Sequence, residues 1–255
     1  AKEKLEHIPH IESLLITIAA PCEMPAEKAR SIQCAVRELF PAARILVYTC
    51  ALKMSDMHLD IDGIMLTFSA FESSQVDFFV VSGKDSEANE QFVDFIAAHP
   101  DTKATAFYVV GLMEKIDDLF NDISVMDERI QVFGAFADAP AMNAYGYLIA
   151  DGMEMRYGVL AVVFRGENLE VLVTRNFGWN MLGREIVATR VEDYTIKELD
   201  GDAPIKIYER YFGIKDDGNF GSDAALFPLC FEEEDGSVSA RVPLRIKEGT
   251  GELVL

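Results

Sequence analysis

The sequence predicts an α/β protein, with mixed β-sheets covered by helices, two pseudo-repeated α/β halves and a smaller α+β part after them. Three observations lead there. Short strands apolar on both faces, at residues 14–19, 44–49, 105–110 and 131–135, alternate with amphipathic helical stretches at 25–40, 86–98 and 113–125. The order strand, helix, strand, loop, strand, strand describes residues 14–82, and the same order with one inserted hairpin strand describes 105–177. After Trp179 the pattern changes to short alternating strands with one helix, so the chain is read as two regions, 14–180 and 182–255.

Taken in order, Leu14 to Ala19 reads as a buried strand, and Pro25 suits the first turn of a helix. Ala29, Ile32, Val36 and Leu39 keep helical spacing until Pro41 stops it. Residues 44–49 form the next strand, and a loop rich in Met, Asp and Ser runs to Ile61. Residues 63–70 and 76–81 alternate as strands. Asp85 or Ser86 caps a helix to Ala98, with Phe92, Phe95 and Ile96 on its apolar face. In 113–125 the stripe is Ile116, Leu119, Phe120 and Ile123. Gln131 to Ala135 is expected to be a buried, central strand that delivers Ala137, Asp138, Ala139 and Pro140 into a turn. A strand at 144–149 closes on Asp151-Gly152, a strong hairpin signal. One long strand, 155–164, then turns at Gly166-Glu167-Asn168 and returns as 169–177. Its opening, Gly158 to Phe164, reads like Gly63 to Phe68, and Glu72-Ser73-Ser74 matches the later turn, which supports the repeat. Downstream come a strand pair within 184–198, a helix at 204–212 ending at Gly213, a loop at 216–219, and a hairpin of 226–231 with 237–246. Leu255 falls in mid-pattern after a turn at 249–251, so a further strand is expected beyond it.

Composition narrows the function. A formal charge of −20 disfavours nucleic acid and anionic membrane surfaces, and no basic patch offsets it. No run of eighteen uncharged apolar residues and no secretory signal pattern appears, so the reading is a soluble, cytoplasmic domain without membrane insertion. Cys22, Cys34, Cys50 and Cys230 lack metal-type pairing and read as reduced, packed thiols. No phosphate loop, Ser/His/Asp order or metal motif is present, so no cofactor and no enzymatic activity is expected. Cys50 with His58 is the remaining nucleophile pair and leaves a Cys-dependent hydrolase as an alternative.

Several stretches, taken together, resemble one family. They are Phe133-Gly134-Ala135-Phe136-Ala137-Asp138, Ala144-Tyr145-Gly146-Tyr147 with Asp151-Gly152, Phe177-Gly178-Trp179, Ala188-Thr189-Arg190, Glu198 to Pro204 with Tyr208, and Phe227-Pro228-Leu229. Their order and spacing resemble the FIST proteins, a family of intracellular sensory domains: 14–180 looks like the FIST N part, and 182–255 like a FIST C part cut short at its C-terminal end. The resemblance implies a signalling input domain that binds a small ligand such as an amino acid and regulates an output domain, a histidine kinase, chemoreceptor or diguanylate cyclase. Residues 63–71, with Ser69, Phe71 and Glu72, look most like members joined to diguanylate cyclases. Partners implied are therefore a small-molecule ligand and an output signalling domain in a longer chain, with a homodimer also compatible. One departure stands out: where family members often carry a Gly-Glu turn, this chain has Thr49-Cys50-Ala51-Leu52-Lys53-Met54, implying a smaller or more apolar pocket, or one displaced towards Asp138.

Five residues are candidates for a site between the two halves. Asp138 suits a ligand's ammonium group or, alternatively, a cap on the turn before Pro140. Trp179 offers a stacking face or a core side chain, and Arg175 and Arg190 offer bidentate clamps for a carboxylate or plain surface charges. Thr49 ends the strand equivalent to 131–135 and so faces the same cleft. A pure interaction module that relays a partner's state without a small ligand is the other reading.

Overall fold

Residues 13–20 alternate in the way a strand between two apolar layers requires: Ile16, Ile18 and Ala20 face one side and Leu15 the other. The computed structural model describes residues 2–5, 7–8, 10–81, 86–111, 129–137, 146–174, 179, 181–232 and 238–255. After a short α1 (Lys2–Leu5), β1 (Ser13–Ala20) leads through α2 (Ala26–Leu39) to β2 (Arg44–Thr49), which lies parallel to it. Pro25 stands at the helix N-cap and Pro41 follows its end, as the sequence predicts. The segment that reads as a loop contains a small hairpin, β3 (Lys53–Ser55) and β4 (His58–Asp60). Buried Lys53 holds its base, donating to the carbonyls of Cys50 (3.0 Å) and Ile61 (2.7 Å).

The next strands, β5 (Met65–Phe71) and β6 (Gln75–Val81), do not pair with each other; Glu72-Ser73-Ser74 passes the chain from one sheet to a second. Beyond them come α3 (Ser86–Ala98), β7 (Thr102–Val110), β8 (Gln131–Phe136), β9 (Leu148–Ala150), β10 (Met153–Met155) and β11 (Gly158–Arg165). One sheet has the order β10-β9-β2-β1-β5 and the other β6-β11-β7-β8. Their inner faces share a core of Leu15, Leu46, Leu148, Ala106, Leu160 and Val162. On the outer face of the first sheet α2 packs Ala29 and Val36 against Ile16, Ile18, Ile45 and Val47. On the second, α3 packs Phe92 and Ile96 against Phe107, Val109 and Val159. Layers of helix, sheet, sheet and helix result, an α/β architecture.

Several expectations need correcting. The run 131–135 is not central: β8 is the outer strand of its sheet among the described residues, and Phe136 is 61% exposed. The centre belongs to β11, buried from Gly158 to Val163 between two antiparallel neighbours. The long strand 155–164 is two strands in two sheets, broken at Arg156-Tyr157, where Gly158 takes φ 131°, a conformation closed to other residues without strain. No strand runs over 169–174, so the expected return is absent there, and 175–177 lie outside the described residues. The helix expected at 113–125 and the stretch 138–145 lie outside them too. Cys34 is exposed, not packed. The sub-orders β5-β1-β2 and β11-β7-β8 share connectivity, each central strand having a parallel neighbour next in line and an antiparallel one on its other side. The segments 14–82 and 105–177 nevertheless exchange strands, since β6 joins the second sheet and β9–β10 the first.

The chain divides into compact units Ala1–Thr174 and Arg175–Leu255. In the second, β12 (Ala188–Glu192) and β13 (Thr195–Leu199) form the strand pair expected around residue 193. A helix, α4 (Pro204–Phe212), ends at left-handed Gly213 as predicted. The loop expected at 216–219 is present, and a second helix, α5 (Phe220–Ala224), follows it. It is followed by the hairpin β14 (Leu229–Glu232) and β15 (Val238–Arg241), then by β16 (Arg245–Ile246) and β17 (Leu253–Val254). Tyr208, buried at the centre of this unit, donates its hydroxyl to the Phe227 carbonyl at 3.0 Å.

Candidate functional site

The parallel pairs β1–β2 and β7–β8 end at the same edge of the two-sheet sandwich. In open α/β sheets ligands gather at such carboxyl ends. Alternation along β2 and β7 turns Tyr48 and Tyr108 inward from opposite sheets, and their rings meet with centroids 5.2 Å apart. Ala137, just beyond β8, packs against the same cluster, its amide bonded to the Val109 carbonyl at 2.7 Å. Neither Tyr48 nor Tyr108 makes a hydroxyl hydrogen bond among the described residues. Both tyrosines are half-buried, so two hydroxyls without a protein partner, carried on rings in contact, can turn to a ligand. Burial, and then its neighbour Tyr48, pushes the Tyr108 hydroxyl up to about 12; burial, and then Cys50, raises Tyr48. Both therefore stay protonated near neutral pH and can donate to a carboxylate or carbonyl oxygen.

The opposite edge carries a cleft of about 490 Å³ lined by Glu12, Glu72, Asp101, Glu167 and Arg165. The guanidinium of Arg165 is committed internally, to Asp77 at 2.7 Å and Gln75 at 2.6 Å, with its side chain only 13% exposed. Its charge is already matched, and the remaining carboxylates repel an acidic ligand. No group of His, Cys, Asp or Glu suited to a metal ion occurs among the described residues.

A family model described as FIST N domain matches residues 15–202. The chain belongs to the FIST family. Membership is consistent with a sensory signalling domain. Comparison with curated proteins gives no match, and comparison with solved structures gives none. The match takes in both FIST sheets of the first unit and extends into the second unit through β13.

The residues named from the FIST sequence fall in different places. Thr49 is fully buried and points away from Tyr48, towards the α2 side. Its hydroxyl accepts the Tyr147 amide at 3.2 Å, and its own amide donates to the Tyr147 carbonyl. Tyr147 in turn donates to the Met24 carbonyl at 3.0 Å beneath the Arg156 guanidinium, and burial pushes its hydroxyl up to about 12. Trp179 is half-exposed in the second unit, and Arg190, on β12, pairs with Glu198 across the strand pair at 3.2 Å. Asp138 and Arg175 lie outside the described residues. Cys50 donates its thiol to the Leu52 carbonyl, and His58 stands exposed on β4; no hydrogen bond joins these two. Sequence reasoning missed Tyr48 and Tyr108. The available signal was a polar-tipped aromatic at the inward register of two otherwise apolar strands.

Proposed function

We propose that this FIST chain is an input domain that binds a small ligand bearing a carboxylate, an amino acid being the simplest case, and regulates an output domain such as a diguanylate cyclase or a histidine kinase. The carrying observation is the Tyr48–Tyr108 pair: two neutral, unpartnered hydroxyl donors at the carboxyl ends of parallel strands from both sheets. Such donors make charge-assisted bonds to a carboxylate, stronger than bonds between neutral groups. Asp138, one residue beyond Ala137 in the chain, is proposed to receive the ligand's ammonium group. Arg175, Arg190 and Trp179 remain proposals for a carboxylate clamp and a stacking face, each tested by its own substitution.

A thermal-shift screen of amino acids and small carboxylates tests the reading. A ligand specific to the folded state raises stability by about 2.7 kcal/mol at a hundredfold excess over its Kd. Asp138→Ala should then weaken an amino acid much more than the matching simple carboxylate. Thr49→Val separates a direct role for that hydroxyl from its support of Tyr147. If no compound shifts the melting temperature, the chain does not sense a small carboxylate.

A further inference from the structure

The β3–β4 hairpin projects apolar side chains that the fold does not use. Met54 and Leu59 sit directly opposite each other across the strand pair and both are exposed. Met57, at the tip, is 88% exposed and takes φ 65°, a left-handed conformation that a long side chain adopts at some cost. Leu52 and Ile61, two residues before Met54 and two after Leu59, are exposed too and continue that face, while Ser55, His58 and Asp60 lie on the other, towards Leu66 of β5. Clustered exposure of this kind marks an interaction surface, whereas singly exposed residues do not. Methionines add adaptability to the partner's shape.

Charge selects the occupant. The exposed charges of this segment are Asp56, Asp60 and Asp62, while its one cation, Lys53, is 3% exposed and already bonded to two carbonyls. A second copy would set one acidic rim against another on chains that each carry −20. An anionic membrane is repelled for the same reason. An amphipathic helix with lysines or arginines beside its apolar stripe satisfies both features. We propose that the apolar face of the β3–β4 hairpin docks a basic amphipathic helix of a partner protein. The proposal does not rest on the ligand reading.

The test uses the full chain and a synthetic eighteen-residue peptide of leucine and lysine arranged with helical periodicity. Two control peptides share its length: one with glutamate for lysine, one of the same composition without the periodicity. Fluorescence anisotropy should show the basic amphipathic peptide binding about tenfold or more tightly than either control. Met54→Ser with Met57→Ser should reduce that affinity about tenfold while leaving the melting temperature unchanged, because both side chains are exposed. Equal binding of the aperiodic peptide, or undiminished binding by the double variant, reduces the effect to bulk charge and overturns the proposal. Overturning it equally would be sedimentation of the wild type as a dimer that the double variant converts to monomer, because a second copy would then be the occupant.

Discussion

Tyr48 and Thr49 are neighbours at the end of β2 and face opposite ways. That single step of register decides which of them reaches the space between the sheets. Thr49, the strand-end residue chosen from the sequence, has its hydroxyl engaged by the Tyr147 amide on the α2 side. Register in a strand apolar on both faces cannot be read from alternation, which is why Tyr48 was not legible. Three expectations belong here. Tyr48→Phe and Tyr108→Phe should leave stability unchanged or slightly raised in thermal melts, since each removes a half-buried hydroxyl without a partner. In alkali the sign is fixed by Tyr108 and Tyr147, both raised from 10 to about 12. The unfolded chain loses these protons near pH 10 and the folded chain holds them longer. The stability they contribute is complete below pH 10 and disappears as pH rises through about 12, an effect followed by phenolate absorbance alongside unfolding. As for the thiols, iodoacetamide should label exposed Cys34 before Cys50, whose thiol donates to the Leu52 carbonyl. Fast, selective labelling of Cys50 would instead revive the hydrolase reading.

At the scale of elements, the parts announced by local chemistry were legible. Asp151-Gly152 makes the β9–β10 turn with both residues at positive φ, and Pro204 and Gly213 bracket α4. What local chemistry does not encode is which sheet a strand joins. Nothing in Glu72-Ser73-Ser74 distinguishes a hairpin from a crossing between sheets, and nothing in Gln131 to Phe136 reveals an outer strand. The β9–β10 turn is also a tie point. The Asp151 carboxylate accepts the Ile45 amide and an Arg44 contact, each at 3.0 Å, and pairs with Arg37 of α2. Asp151→Ala should therefore cost about 1–2 kcal/mol in urea unfolding, and Asp151→Asn less, because Asn keeps the left-handed turn and one acceptor. At Gly134 an added Cβ would stand 2.0 Å from the Phe107 carbonyl oxygen, so Gly134→Ala should displace β8 and destabilise by about 2 kcal/mol or more.

On the scale of the whole molecule, the α/β class was legible because hydrophobic period and helix punctuation report it directly. The two sheets were not, because β6 and β9–β10 cross between segments that the sequence pattern keeps apart. Exchange of strands gives the two sheets one shared core, and it is this core that brings Tyr48 and Tyr108 together from residues sixty positions apart in the chain. The sensory reading thus depends on a site that exists only once both sheets have formed. Isothermal titration of a ligand from the amino acid and carboxylate panel, into wild type and into the Tyr48→Phe/Tyr108→Phe double variant, tests it most directly. The expected result is measurable binding by the wild type and an affinity lower by about tenfold for each lost hydroxyl, with the fold and melting temperature of the variant intact. Equal affinity in the two proteins would contradict the assignment of these tyrosines as the ligand's donors.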